Sequence, residues 1–195
     1  MDKLRLYNVS DEYINFLRNF DKRVFSNKEE DRCKERKYLG IVLSINNFNY
    51  FVPLSSPKDS DYLYIENVKT IRKSIIPIMR IVAEGENGND ELKGTLKFSN
   101  MIPIPYSALL DYDLENEPDE NYKILVLKEL SFIFSNKKTI IRNAKVIHNQ
   151  KTKNMNNIGY IKDTVNFKLL EQKCIEYEAL QQIKDTKDTA SPIEE

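Results

Sequence analysis

The sequence predicts an α+β domain: an antiparallel, strongly bent β-sheet or partial barrel, with helices before and after it. Three observations carry this expectation. Apolar residues recur at helical spacing near the start of the chain and again over its last third. The middle is a series of short β-like runs separated by turn residues. The 195 residues show no internal repeat and suit one domain with a continuous core.

The elements follow in order. A short strand spans Leu4 to Val9, and Ser10 is placed to cap a helix whose first turn carries Asp11 and Glu12. Tyr13, Ile14, Leu17 and Phe20 then form one apolar stripe. Residues 21–37 are densely charged and read as a loop. YLGIVLSI and NYFVPL read as a hairpin turning at Asn46-Asn47, a weaker turn pair than Asn-Gly. The segment from Ser55 to Lys73 mixes turn residues with one short strand, DYLYIENV. IIPIMRIVAE and GTLKFSNMIPIP are further strands around the GENGND turn, their prolines pushing parts of them to edges or bulges.

The acidic turn DYDLENEPDE leads into a helix from Asn121 to about Lys138, with Tyr122, Leu125, Leu130, Ile133 and Phe134 on its apolar face. After a break near Ser135-Asn136, TIIRNAKVIHNQ continues as a second helix. A last helix starts near Phe167 and runs through Leu170, Cys174 and Tyr177. The domain is expected to span 1–182, with 183–195 a polar, disordered tail.

Composition excludes several classes. Thirty basic and thirty acidic residues cancel, so a nucleic-acid role has to rest on local clustering. Cys33 and Cys174 stand far apart, which argues against a disulfide framework or a zinc site and for a reducing cytoplasm. The N-terminus lacks the apolar run of a signal peptide, and no stretch is long enough to span a membrane. His148 is the only histidine, so a pair of catalytic histidines is impossible, and it lies beside no nucleophile motif. GxSxG, GxxxxGK[ST] and HExxH are absent, and the acidic residues are scattered, so neither metal nor cofactor is expected.

Two features remain. PLSSPK, Pro53 to Lys58, places two adjacent hydroxyls and an ammonium on a turn at a strand end. Ser55, Ser56 and Lys58 there suit the oxygens of a phosphate, or they form an ordinary exposed turn. Residues 136–162 carry Lys137, Lys138, Arg142, Lys145, Lys151, Lys153 and Lys162 without one acidic residue. That stretch is either a surface for phosphates or a solvated helix face and loop. Tyr13, on the apolar stripe, reads by spacing as a core residue.

Taken together, YNVSDEYINFLRNFDKRV, RKYLGIVLSINNFNYFVPLSSPK, NMIPIPYSALLDYDL, NYKILVLKELSFIFSN and VNFKLLEQKCIEY resemble the ToxN/AbiQ family of type III toxin–antitoxin endoribonucleases. The likeness runs in order through about the first 180 residues. It implies a bent sheet core of the MazF/Kid architecture and metal-independent RNA cleavage leaving 2′,3′-cyclic phosphate and 5′-hydroxyl ends. It further implies that Ser55, Ser56, Lys58, Tyr13 and Arg36 form the catalytic set, Arg36 standing four positions before Gly40 and Lys37 being the adjacent alternative. Ser55 takes a position where family members often carry Thr.

The implied partner is a repetitive RNA antitoxin, cut into pseudoknotted units that alternate with toxin in a closed assembly; cellular or phage RNA would be the other substrates, and phage defence by abortive infection the outcome. Lys37, Lys97, Lys137, Lys138, Arg142, Lys145, Lys151 and Lys153 are the candidate RNA contacts. The alternative is a non-catalytic RNA-binding module with the same basic surface.

Overall fold

The computed structural model describes residues 4–27, 35–85 and 87–189; Cys33 lies outside them. The chain opens on β1 (Arg5–Val9). Ser10 then accepts the Tyr13 backbone N–H at 3.2 Å, starting α1 (Asp11–Phe20) with Tyr13, Ile14 and Leu17 buried. β2 (Tyr38–Ile45) and β3 (Phe48–Ser55) form the expected hairpin. Asn46 and Asn47 both take left-handed backbone, φ 49° and 67°, which a tight two-residue turn requires and asparagine tolerates.

The single strand expected at DYLYIENV is instead a second hairpin, β4 (Tyr62–Ile65) and β5 (Val68–Ile71). Its turn is Glu66-Asn67, at φ 49° and 65°, a pair without the glycine that marks most such turns. β6 (Ile78–Glu84) begins only after Pro77, and β7 (Asp90–Lys97) starts at the end of the GENGND turn. A short helical turn at Phe98–Asn100 separates β7 from the two-residue β8 (Ile102–Pro103). β9 (Leu109–Asp111), which the periodicity does not reveal, pairs with β1 as an edge strand.

The antiparallel sheet runs β6-β7-β3-β2-β1-β9, with β8 on β3, and the β4–β5 hairpin stands apart. Register shifts in β2–β3 and β6–β7 bend it. Its end strands, β6 and β9, do not meet, so it stays an open sheet rather than a barrel. Phe51 lies across Gly40, where any side chain would collide with its ring.

α2 (Glu120–Ser135) and α3 (Lys137–Thr152) divide at Asn136, as expected. The buried face of α2 is Val126, Glu129 and Ile133, whereas Phe134, expected inside, is 53% exposed. This helix is apolar nearly all round, so contact with β6 and β7 rather than periodicity picks the inward face. α4 (Phe167–Thr189) buries Leu170, Cys174 and Tyr177 and continues past residue 183, where a disordered tail was expected to begin; 190–195 lie outside the described residues. His148 is a core residue: its ring stacks on Phe167 at 5.2 Å, near Glu171, which accepts the Tyr50 hydroxyl at 2.6 Å. Burial, opposed by Glu171, holds the imidazole below its ordinary range.

Glu129 reaches into space that only Gly94 leaves open, since a Cβ there would lie 2.4 Å from Glu129 Oε1. Burial raises this carboxyl from about 4.5 to about 8. Between those values the folded chain holds a proton that the unfolded chain has released. The unfolded state therefore binds fewer protons, and stability falls as pH rises through this window. Glu129→Gln keeps the shape without the ionisation. In melting experiments its Tm is expected to match the parent near pH 4 and exceed it progressively toward pH 9; a constant difference would contradict this.

Candidate active site

The register of three strands builds one polar row. Ser55 on β3 pairs with Thr95 on β7, and Thr95 pairs with Arg80 on β6, so their side chains share a face. Lys97, two residues along β7, joins that face. Leu54, Leu96 and Met79 alternate to the other side and enter the core. Beyond Ser55 the chain leaves the sheet, and Ser56 and Lys58 stand exposed on the turn while Ser55 stays buried.

Arg36 and Lys37 are neighbours with opposite destinations. The Arg36 guanidinium is buried against the Phe25 ring, 4.5 Å from its centroid. It donates to the Ser26 carbonyl at 3.0 Å, the Leu54 carbonyl at 2.8 Å and Ser55 Oγ at 2.7 Å. Ser55 thus accepts from a cation, which leaves its own proton to be given elsewhere. Lys37 turns to the other face, where its Nζ meets Asn8 Oδ1 at 2.7 Å and lies 4.0 Å from the Tyr112 ring centroid. Of the two, Arg36 is the one brought to Ser55.

The turn is fixed by a buried ion pair that the residue pattern does not single out. Arg80 Nη2 lies 2.9 Å from Asp61 Oδ1, both side chains being almost wholly enclosed. The other Asp61 oxygen accepts the Lys58 backbone N–H at 3.1 Å, and the Asp61 N–H returns to the Lys58 carbonyl at 2.9 Å. Arg80 also donates to the Lys73 carbonyl, and its backbone N–H to Ser74 Oγ, each at 2.8 Å. One guanidinium therefore ties the segment before β4 to the segment after β5. The only trace in the sequence is an arginine interrupting the apolar run IMRIVAE.

Lys97 completes the cluster. Burial depresses its ammonium below the ordinary lysine range; Asp61 opposes this, while Arg80, Lys58 and Arg36 push the same way. The cations of Arg36, Lys58, Arg80 and Lys97 thus interact around the end of β3, where Arg36 reaches the Ser55 hydroxyl and Arg80 is held by Asp61. Such a group favours a ligand of high negative charge density.

The remaining candidates lie elsewhere. Tyr13 is fully enclosed, its hydroxyl donating to the Pro103 carbonyl at 2.7 Å and its ring meeting Tyr177 at 4.8 Å. Burial raises that hydroxyl well above its ordinary value. Pro103 pairs with Tyr50, which is about 16 Å along β3 from Ser55 at about 3.3 Å per residue. Lys138, Arg142 and Lys145 form an exposed stripe along α3, with Lys137 half-buried at its start. Arg142 lines a groove with Ser74, Ile75 and Thr139, so the stripe approaches the segment that Arg80 holds. Lys151 is engaged with the Ile161 carbonyl at 2.9 Å, and Lys153 and Lys162 are exposed.

Removing one partner of the enclosed pair leaves a buried charge unmatched, which costs about 3–5 kcal/mol. Asp61→Asn and Arg80→Met are each expected to lose stability on that scale in urea unfolding. The double variant should lose much less than the sum of the two. Additive losses would mean that the pair is not coupled.

The sequence model of one family, toxin ToxN of type III toxin–antitoxin systems, matches residues 5–175. The endoribonuclease AbiQ of Lactococcus lactis subsp. lactis is 34% identical over 174 residues, which is 89% of each chain. Among solved structures, the chain superposes with a TM-score of 0.73 and 29% identity on a protein of a bacterial antiviral system regulated by a processed non-coding RNA. That match covers 88% of this chain and 98% of the other. A second, from a study of selective toxin inhibition by a non-coding RNA pseudoknot, gives a TM-score of 0.69 and 26% identity over 91% of this chain and 99% of the other. Fold, order of elements and sequence agree over nearly the whole domain, and the chain belongs to the ToxN family of type III toxins.

Proposed function

We propose that the Ser55–Lys58 turn and its cations are the active site with which this type III toxin, an endoribonuclease, cleaves RNA. The observation that carries this reading is the contact of Arg36 with the Ser55 hydroxyl at a strand end where Lys58, Arg80 and Lys97 also gather and Ser56 follows in the chain. In RNA the 2′-hydroxyl serves as nucleophile. Its oxygen bonds to the adjacent phosphorus, the bond from phosphorus to the 5′-oxygen breaks, and a 2′,3′-cyclic phosphate and a 5′-hydroxyl remain. One proton leaves the 2′-oxygen and one reaches the 5′-oxygen. The protein's share is alignment, proton transfer and stabilisation of the dianionic phosphorane.

In this reading Ser56, exposed at the tip, contacts the scissile phosphate or relays a proton. Lys58 and Lys97 face the phosphorane oxygens, and Lys58 can also protonate the leaving oxygen. Arg36 orients Ser55 and adds its charge from behind. Tyr13 stands apart from the turn, its hydroxyl committed to Pro103, and takes no direct part in this reading. The cations belong to the chain, so the proposed cleavage is metal-independent. The inhibitor is an RNA antitoxin, for which we propose repeat units alternating with toxin in a closed assembly. The α3 stripe extends the interface along that RNA. No helix among the described residues is long and apolar enough to cross a membrane; we place the activity in the cytoplasm, where its RNA substrates are.

Ser56→Ala is expected to abolish cleavage of single-stranded RNA while leaving the circular dichroism spectrum and Tm unchanged, and the parent should cut equally well in excess EDTA. Full activity in Ser56→Ala rules out this site; RNA binding without cleavage by the parent would favour the non-catalytic module. Replacing Lys138, Arg142 and Lys145 by Gln should reduce the slope of log affinity against log salt by about 0.7 for every single-strand phosphate no longer neutralised. An unchanged slope removes the stripe from the interface.

A further inference from the structure

The β4–β5 hairpin follows directly from the Ser56–Lys58 turn, yet no strand of the main sheet pairs with it. An isolated two-stranded hairpin is marginal by itself. Here it is held at its base: the Arg72 N–H donates to the Asp61 carbonyl and Arg72 Nε to the Tyr62 carbonyl, both at 2.9 Å, and Arg80 bridges Asp61 to Lys73. The register places Tyr62, Tyr64, Lys69 and Ile71 on one face. Lys69 Nζ lies 4.1 Å from the Tyr62 ring centroid, while Tyr64 is 72% exposed. A large ring left open on an anchored hairpin, opposite a lysine whose ammonium neighbours an exposed carboxylate, Asp59 at 3.9 Å, and the Tyr62 ring, suits one ligand chemistry: a flat base attached to a phosphate. Tyrosine loses little conformational freedom on binding, and its ring stacks on every base with modest preferences set by stacking strength.

We propose that this hairpin is a nucleobase-binding finger: Tyr64 stacks on an unpaired base of the RNA whose scissile phosphate lies over the Ser55–Lys58 turn, with Lys69 facing the backbone beside it. This rests on the active-site reading above. Tyr64 lies three residues beyond Asp61, about 10 Å along the strand. Because the base of the finger is the ion pair that fixes the catalytic turn, stacked base and cut bond keep a constant separation. The finger therefore acts on where the chain cuts as well as on how tightly it holds. Its exposed apolar neighbours, Ile65 and Val68, lie on the opposite face and take no part.

The test uses the full chain and a pool of single-stranded RNA of randomised sequence, with cut ends mapped by sequencing. Tyr64→Ala is expected to raise KM about tenfold with little change in kcat and to flatten base preference at a fixed offset from the cut. Tyr64→Phe should keep both. In a Ser56→Ala background, which binds without cutting, Tyr64→Ala should weaken affinity for the same pool by a similar factor. Unchanged KM, affinity and cut distribution in Tyr64→Ala, with Ser56→Ala inactive, would overturn the finger alone. A Ser56→Ala protein that still cuts would overturn the active site and the finger with it.

Discussion

The guanidinium of Arg80, enclosed between the Asp61 carboxylate and the Lys73 carbonyl, holds the segment that carries Ser56 and Lys58. Neither charge reaches solvent, so each depends on the other, and neither can move without leaving its partner unmatched. The second oxygen of Asp61 continues the constraint into the backbone of Lys58. A turn that would otherwise be free at a strand end thereby acquires a defined place relative to Thr95, Lys97 and Arg36. The same pair closes the base of the β4–β5 hairpin, and one interaction sets the position of both.

The sheet divides its work by face. On one side Leu54, Leu96, Met79 and Ile81 pack inward, and Gly94 yields space to Glu129. On the other, Ser55, Thr95, Arg80 and Lys97 line up across three strands. Alternation along β3 carries the division to the strand's last residue. Arg36 and Lys37 show the same rule at the start of β2: adjacent cations point to opposite sides, one to Ser55 and one to Asn8 and Tyr112.

The chain has no net charge, and several of its carboxylates are engaged away from the turn. Asp21 holds Arg23, Glu171 serves Tyr50 and His148, and Glu12 meets Lys184. At the turn Asp61 is committed to Arg80, while Lys58 stands exposed and Lys97 lies beside it. The mutual repulsion of those cations is tolerable only because they lie on separate elements held by the sheet. In the active site proposed above, an incoming phosphate relieves that repulsion, and the more highly charged phosphorane relieves it further.

Much of this was legible in the residues themselves. Ser10 ahead of Asp11 and Glu12, the Asn46-Asn47 turn and the break at Asn136 are local signals, set by capping and by backbone preference, and each appears where the sequence places it. The hydroxyl pair and Lys58 could likewise be read as a turn at a strand end. Other features have no local signature. The inward face of α2 depends on which helix side meets β6 and β7, and the short β9 exists only because β1 offers an edge. The partnership of Arg80 with Asp61, and of Arg36 with Ser55, joins residues 19 positions apart in each case. The sequence by itself determined the class of fold and the hydroxyl-lysine turn, because those follow from periodicity and neighbouring residues. Only the tertiary structure decided which cations surround that turn, because strand register places Arg80 and Lys97 there and a buried contact brings Arg36 to Ser55, none of it set by distance along the chain.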